Sequence, residues 1–211
     1  MMTKNLNFFL LALLSIHASA FDLSKLSINE GFSITIFAEG LDAPRQMAEG
    51  KNGVIYVAER GGQIVALSDT DNNGVADTRI IVADGLKYST GLSIYDGDLY
   101  FSEISKIWKI ENIDHWIKDY DVNSSMLEKV IVVDNLPDEE WHGWKWIKHD
   151  QDGALYFNVG APCNICLSKN PQFATILKYE NDSINYVARG VRNSVGFDFH
   201  PISKKLFLQI W

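Results

Sequence analysis

Short apolar runs alternate with turns rich in Gly, Asp and Asn along most of the chain, which is the two-residue period of strands rather than the 3.6-residue period of helices. Gln46–Leu67 places a turn at Lys51-Asn52-Gly53, a β-branched and aromatic strand over Val54–Ala58, a second turn at Gly61-Gly62 and a strand over Gln63–Leu67. The same phrase returns in Gly91–Ile110, around a turn at Asp96-Gly97, and in Trp141–Asn164, around a turn at Asp152-Gly153. Asn193–Ile210 opens a fourth copy. The aromatic residue after each first turn falls at Tyr56, Tyr100, Tyr156 and Phe207, giving spacings of 44, 56 and 51 residues. Only Ile113–Tyr120 has the apolar spacing of a short amphipathic helix.

A repeat of this length, built from short strands and hairpin turns, predicts an all-β protein, a β-propeller of four-stranded blades. One such blade cannot bury both of its faces alone and must stack against neighbours. Roughly three to four blades are expected here, since a blade takes about 50 residues. The alternative is an unrelated β-sandwich with similar hairpins. The fourth copy stops in mid-repeat at Trp211, so residues 21–211 read as a partial, truncated propeller domain.

Composition agrees with a folded domain: 46% of the 211 residues are hydrophobic and 12% aromatic. The formal net charge of −8, with acidic residues spread along the chain, argues against nucleic acid as a partner, because counterion release needs clustered Lys and Arg. Residues 1–20 have the plan of a signal peptide: Lys4, an apolar run over Phe8–Ile16, and small residues at Ala18-Ser19-Ala20. As a helix that run reaches about 14 Å, short of a bilayer core of about 30 Å, so no membrane span is expected. An exported protein, periplasmic or secreted, follows from this reading.

Candidate chemistry is sparse. His142 is a candidate proton acceptor, because oxidation at a hydroxyl-bearing carbon needs a base and imidazole titrates near neutrality. Flanked by Trp141 and Trp144, it also reads as a packed or surface histidine. In GVRNSVGF, the Arg192 guanidinium could stabilise charge developing on a carbonyl oxygen and Asn193 could donate a hydrogen bond. Arg189 and Arg192 could equally be solvated or ion-paired blade-edge residues. Cys163 and Cys166 are followed by Leu167 rather than His, which excludes covalent haem attachment, and no second Cys pair completes a zinc site. A short-loop disulfide or two free thiols remain. Asp69–Gly74 with Asp77 has the oxygen spacing of a Ca2+ loop but Ile80 at the twelfth position, so a polar hairpin turn competes with it. Glu59 and Glu103 are the carboxylates available to a metal-dependent lactonase.

Three phrases in this order, VAERGGQIVAL at 57–67, WHGWKWIKHDQDGALYFNVGAPCNIC at 141–166 and YVARGVRNSVGFDFHP at 186–201, resemble the glucose/sorbosone dehydrogenase family. The resemblance runs over essentially all of Phe21–Ile210 and corresponds to the N-terminal half or so of a full member. It implies a six-bladed propeller that binds pyrroloquinoline quinone (PQQ) and Ca2+ and oxidises sugars or related alcohols and aldehydes by hydride transfer to the quinone. A sugar-type small molecule and an external electron acceptor are the implied partners, and much of the cofactor and Ca2+ site would lie beyond residue 211. On this resemblance His142 is the catalytic base, and Arg192 and Asn193 contact the cofactor, Arg192 also stabilising charge during catalysis. Glucose-oxidising members place an Asp after the glycine matching Gly160, where it orients the base. Ala161 stands there instead, so that partner is absent or supplied elsewhere. A non-catalytic exported propeller that binds a protein or glycan is the competing class. Expression in a secreting host should yield a mature chain starting at Phe21 by N-terminal sequencing; a product that keeps residues 1–20 would count against the export segment.

Overall fold

The computed structural model of the chain describes residues 22–121, 124 and 127–210; the expected signal peptide lies outside the described residues. The chain divides into two units, residues 1–35 and 36–211. Among the described residues of the first, the regular element is a single 3-10 turn, Leu23–Lys25, capped by the Asp22 carboxylate, which accepts from Ser24 N at 3.2 Å.

Among the described residues, all strands belong to the second unit. β1 (Pro44–Glu49), β2 (Ile55–Glu59), β3 (Gln63–Ser68) and β4 (Thr78–Ala83) form one antiparallel sheet in chain order. β5 (Leu92–Tyr95), β6 (Asp98–Ser102), β7 (Ile107–Ile110) and β8 (Val130–Val133) form the second, with the short helix α1 (Ile113–Lys118) between β7 and β8. β9 (Ile147–His149), β10 (Leu155–Val159), β11 (Thr175–Glu180) and β12 (Ser183–Arg189) form the third, and β13 (Ser194–Phe199) pairs with β14 (Leu206–Ile210). Each four-stranded sheet is an up-and-down meander, the blade of an all-β propeller. The turn at Asp96-Gly97 shows the local rule: Tyr95 pairs with Asp98 across two residues with φ of 50° and 83°, the two-residue hairpin whose twist matches its strands. The four aromatics of the repeat all fall on second strands, β2, β6, β10 and β14.

The cores lie between blades. Tyr56, Ala58, Ile64 and Ala66 of the first sheet pack with Leu92, Leu99, Phe101 and Ile110 of the second and with Ile113 of α1. Ile107 and Val133 of the second sheet pack with Ile147, Leu155, Phe157 and Leu177 of the third, and Ile176 reaches Phe197 of β13. The first sheet's other face buries Val57, Val65 and Leu67 under Phe37, Ala38 and Leu41. Burial on both faces is why β2 and β3 read as nearly continuous apolar runs instead of an alternation.

The first strands β1, β5 and β9 are joined by one buried amide. Gln46 on β1, 4% exposed, donates through Nε2 to Ile147 O at 2.8 Å and accepts at Oε1 from Leu92 N at 3.1 Å and Ile147 N at 3.2 Å. A second tie lies one turn of pleat away: Ser93 Oγ accepts from His149 N at 3.2 Å and lies 2.9 Å from His149 Nδ1. The Ser93 hydroxyl keeps a proton that it can donate to Nδ1 of a neutral imidazole. Burial lowers its pKa from 6.5 to about 4 against the opposing pull of Asp150 and Asp98.

His149 has a folded pKa below its unfolded value, so the unfolded chain binds the proton first and stability falls as pH drops. The contribution is complete above about pH 6.5 and is lost progressively toward pH 4, amounting to roughly 3 kcal/mol. Chemical denaturation of wild type and His149→Asn between pH 7 and 4.5 should show a shallower pH slope in the variant; equal slopes would contradict the assignment.

Candidate functional site

The segments that enter the first strand of each sheet converge. Those segments carry residues with positive φ that are not glycine: Ala43 (50°) before β1, Tyr88 (53°) before β5 and His142 (52°) before β9. Such backbone is held only where the surroundings over-determine it, and costs on the order of 1–3 kcal/mol per residue. In β1, Pro44 pairs with Glu59 and Met47 with Val57, three steps against two, so a bulge contains Arg45 and Gln46. A bulge re-aims the side chains it contains. Here Gln46 turns into the interblade core while Arg45 faces the opening. β13 has an irregularity of the same kind between Ser194 and Gly196.

These segments enclose a cavity of about 620 Å3. Its wall receives Arg45 and Gln46 from β1, Arg60 from the turn after β2, Tyr88 and Thr90 from the approach to β5, residues 140–142 and 144–146 from the approach to β9, and Asn193, Ser194 and Val195 from the start of β13. The volume is that of a small-molecule or cofactor site. Trp144 organises one side: the Arg45 guanidinium lies 4.6 Å and that of Arg60 4.4 Å from its ring centroid. The Trp144–Trp146 backbone is itself pinned by the buried Asn158 amide, whose Oδ1 accepts from Trp146 N at 2.6 Å and whose Nδ2 donates to Trp144 O at 3.0 Å. Trp146 Nε1 donates to Phe197 O at 2.9 Å and ties this wall to β13.

His142 is held by its ring and by its backbone. Nδ1 lies 2.8 Å from Ala161 O. A carbonyl oxygen only accepts, so Nδ1 carries the proton and, in neutral imidazole, Nε2 keeps the lone pair. The residue at the position where an Asp was missed therefore supplies the orienting oxygen from its own backbone. Ala161 N in turn donates to Arg192 O at 2.7 Å, which carries the support on to the next blade. Gly160 makes the approach possible, because a Cβ there would overlap the His142 carbonyl and side chain.

Lys145 is a buried amine on this wall, 2% exposed. Its backbone is clamped by the second sheet: Thr90 Oγ1 accepts from Lys145 N at 3.2 Å and donates to Lys145 O at 3.1 Å, and Ser102 Oγ donates to the same oxygen at 3.2 Å. Nζ donates to Gly143 O at 2.9 Å. Burial pushes the ammonium pKa down from 10.5 to about 7, partly opposed by Glu139. The carboxylate on the cavity wall, Glu140, is engaged by Lys87 at 3.6 Å.

His142 and Asn193 both line the cavity, whereas the side chain of Arg192 is exposed and is not among the lining residues. Arg45, Gln46, Arg60, Thr90 and Lys145 had not been singled out. Their common signal is position: they precede or open a first strand, or close a second one, and in a propeller those points share one face. Cys163 and Cys166 are disulfide-bonded, just after Ala161. Glu59 is buried, paired with Arg79 at 3.0 Å and accepting from Asp42 N, and Glu103 accepts from Lys87 N and Trp108 Nε1, so both hold loops and neither lines the cavity. In the Asp69 loop, oxygens of Asp69, Asp71 and Asp77 cluster within 4.8 Å, and each carboxylate accepts from the turn's own backbone. Among the described residues no helix is long and apolar enough to cross a membrane.

Comparison with known proteins gives the same architecture. An uncharacterized protein of Borreliella burgdorferi is 29% identical over 192 residues, which cover 87% of this chain and 48% of that protein. Among solved structures, a Trichoderma reesei carbohydrate-active enzyme of family AA12 superposes with a TM-score of 0.68 at 18% identity, over 82% of this chain and 47% of the other. The PQQ domain of a Coprinopsis cinerea pyranose dehydrogenase, in its holo form, gives 0.64 at 18% identity, over 77% and 42%. The PQQ-bound aldose sugar dehydrogenase of Streptomyces coelicolor gives 0.61 at 17% identity, over 83% and 58%. The chain thus spans about half the length of the proteins it matches. The TrAA12-like family pattern matches residues 26–209, nearly the whole chain, and the protein belongs to that family.

Proposed function

We propose that this chain carries part of a PQQ-dependent oxidoreductase site that oxidises a sugar or a sugar-derived alcohol or aldehyde, with His142 as the proton acceptor. The observation that carries the reading is a tautomer-fixed imidazole on the wall of a cavity that also bears Arg45, Arg60 and Lys145. A tricarboxylate quinone suits that donor set, since the cavity's cations outnumber its carboxylates and two of them are held in place by Trp144. Arg45, Arg60, Lys145 and Asn193 would hold it. When bound, PQQ supplies the two-electron acceptor for hydride; Ca2+ accompanies it in this reading, and we assign that ion no ligand among the described residues.

The chain's own residues then divide the work. His142 Nε2 accepts the proton of the substrate hydroxyl as the carbon beside it loses hydride, so the C–O bond becomes a carbonyl without a high-energy alkoxide. Ala161 O keeps the opposite ring nitrogen protonated and the ring aimed. Arg45 and Arg60 lie on the wall where guanidinium charge can offset negative charge that develops on oxygen; Arg192, exposed beside Asn193, has that role from the family resemblance alone. Trp144 and Trp146, both partly buried, cover the same wall with apolar surface. Regeneration by an external electron acceptor and export to an oxidising compartment complete the proposal, the latter supported by the Cys163–Cys166 disulfide.

Trp141, Trp144 and Trp146 line the cavity, so PQQ with Ca2+ should quench tryptophan fluorescence of the purified chain, and Arg45→Ala or Arg60→Ala should weaken that binding about tenfold or more. In dye-coupled assays on a panel of sugars, His142→Ala should lower kcat by at least about a hundredfold with PQQ binding retained. Absence of quenching, or unchanged turnover in His142→Ala, would overturn the proposal.

A further inference from the structure

Lys145 is the cavity group that the proposed proton transfer leaves without a task. Its side chain is buried, its backbone is fixed by Thr90 and Ser102, and its Nζ has one acceptor, Gly143 O, for the three protons of an ammonium. Among the described residues no carboxylate pairs with it. A buried amine in this state is expensive to ionise, and a fold that only needed to fill space there would do so with an apolar side chain.

The charged and titratable groups around it come from every element that meets at the cavity. Arg45 projects from β1, Arg60 from the turn after β2 and Tyr88 from the approach to β5. Glu139, Glu140 and His142 lie on its own segment, while β13 contributes the uncharged Asn193, Ser194 and Val195. Glu139 acts on Lys145 only through space, and Glu140 is engaged by Lys87. The arrangement therefore has two permanent cations, one amine that can gain a charge, and no anion committed to that amine.

We infer that Lys145 is the proton-coupled receptor for an anionic group of the cavity's ligand, gaining a proton as the ligand enters and pairing with one of its carboxylates. The inference rests on the PQQ reading for the identity of the anion. Its proton balance is simple: Nζ takes one proton from solvent, and the resulting ammonium pairs with a carboxylate that is already ionised. Because binding and protonation are linked, each must favour the other by the same factor. The depressed pKa of about 7 sets where the linkage is visible, since the free amine loses its proton above that pH while the bound one keeps it.

The test is titration of the full chain with PQQ, followed by tryptophan quenching from pH 6 to 9 and by calorimetry in buffers of different ionisation enthalpy. Wild type should take up close to one proton per PQQ at pH 8, and its Kd should rise by up to about tenfold per pH unit above pH 7. Lys145→Met should bind more weakly at pH 6 by about tenfold or more and lose both the uptake and the slope. NMR of the Lys145 ε-carbon in wild type provides a readout independent of any variant: its titration midpoint should move upward by at least about two units when PQQ is added. PQQ binding without proton uptake and with an unmoved Lys145 midpoint, or a Lys145→Met variant with wild-type pH dependence, would overturn the role of Lys145 and leave the cofactor reading standing. No PQQ binding by wild type at any pH would overturn both.

Discussion

The side-chain amide of Gln46 is the contact on which the rest of the fold turns. A propeller blade pairs all of its strands internally, so nothing in the ladder hydrogen bonds dictates how one blade meets the next. Gln46 supplies that link, with three hydrogen bonds that bring β1, β5 and β9 together inside a buried space. Each such bond contributes only about 1 kcal/mol net, but losing the amide would leave buried backbone groups of Leu92 and Ile147 unsatisfied, at a cost of about 1–3 kcal/mol each. The Ser93–His149 and Trp146–Phe197 bonds repeat the device farther along. Apolar packing between sheets drives the stacking; these polar ties set its register.

That register is what builds the cavity. The residues before each first strand leave the ladder and take strained backbone at Ala43, Tyr88 and His142, which is affordable because the strands behind them are locked. Gly160 lets the backbone of β10's exit approach His142, and Ala161 O then fixes the imidazole tautomer. Lys145 is anchored by two hydroxyls of the neighbouring blade. A histidine fixed by a backbone oxygen of its own blade and a buried amine fixed by hydroxyls of the neighbouring blade thus meet at one cavity, and no single blade contains the site.

The resemblance to PQQ-dependent sugar dehydrogenases read from the three phrases agrees with the family match over residues 26–209. Ala161 shows what residue identity alone leaves open. Its side chain removes a carboxylate, yet its carbonyl does the orienting, and a backbone atom leaves no trace in residue type. Glu59 and Glu103 show the reverse, since carboxylates eligible for metal chemistry are consumed by Arg79, Asp42 N, Lys87 N and Trp108.

The amino-acid sequence by itself determined the blades: turn chemistry at Asp96-Gly97 and Asp152-Gly153, apolar runs long enough to be covered on both faces, and an aromatic on every second strand. Those are local properties, set by φ preferences and by the partition of each side chain between water and core. Tertiary structure alone decided that Arg45, Arg60, His142, Lys145 and Asn193 share one cavity, that His142 keeps its lone pair on Nε2, and that the histidine seven residues later is a neutral interblade bolt. Both histidines sit in the same stretch of chain, but their hydrogen-bond partners lie 19 and 56 residues away; the first distance is closed when β9 pairs with β10 inside one blade, the second only when blades stack.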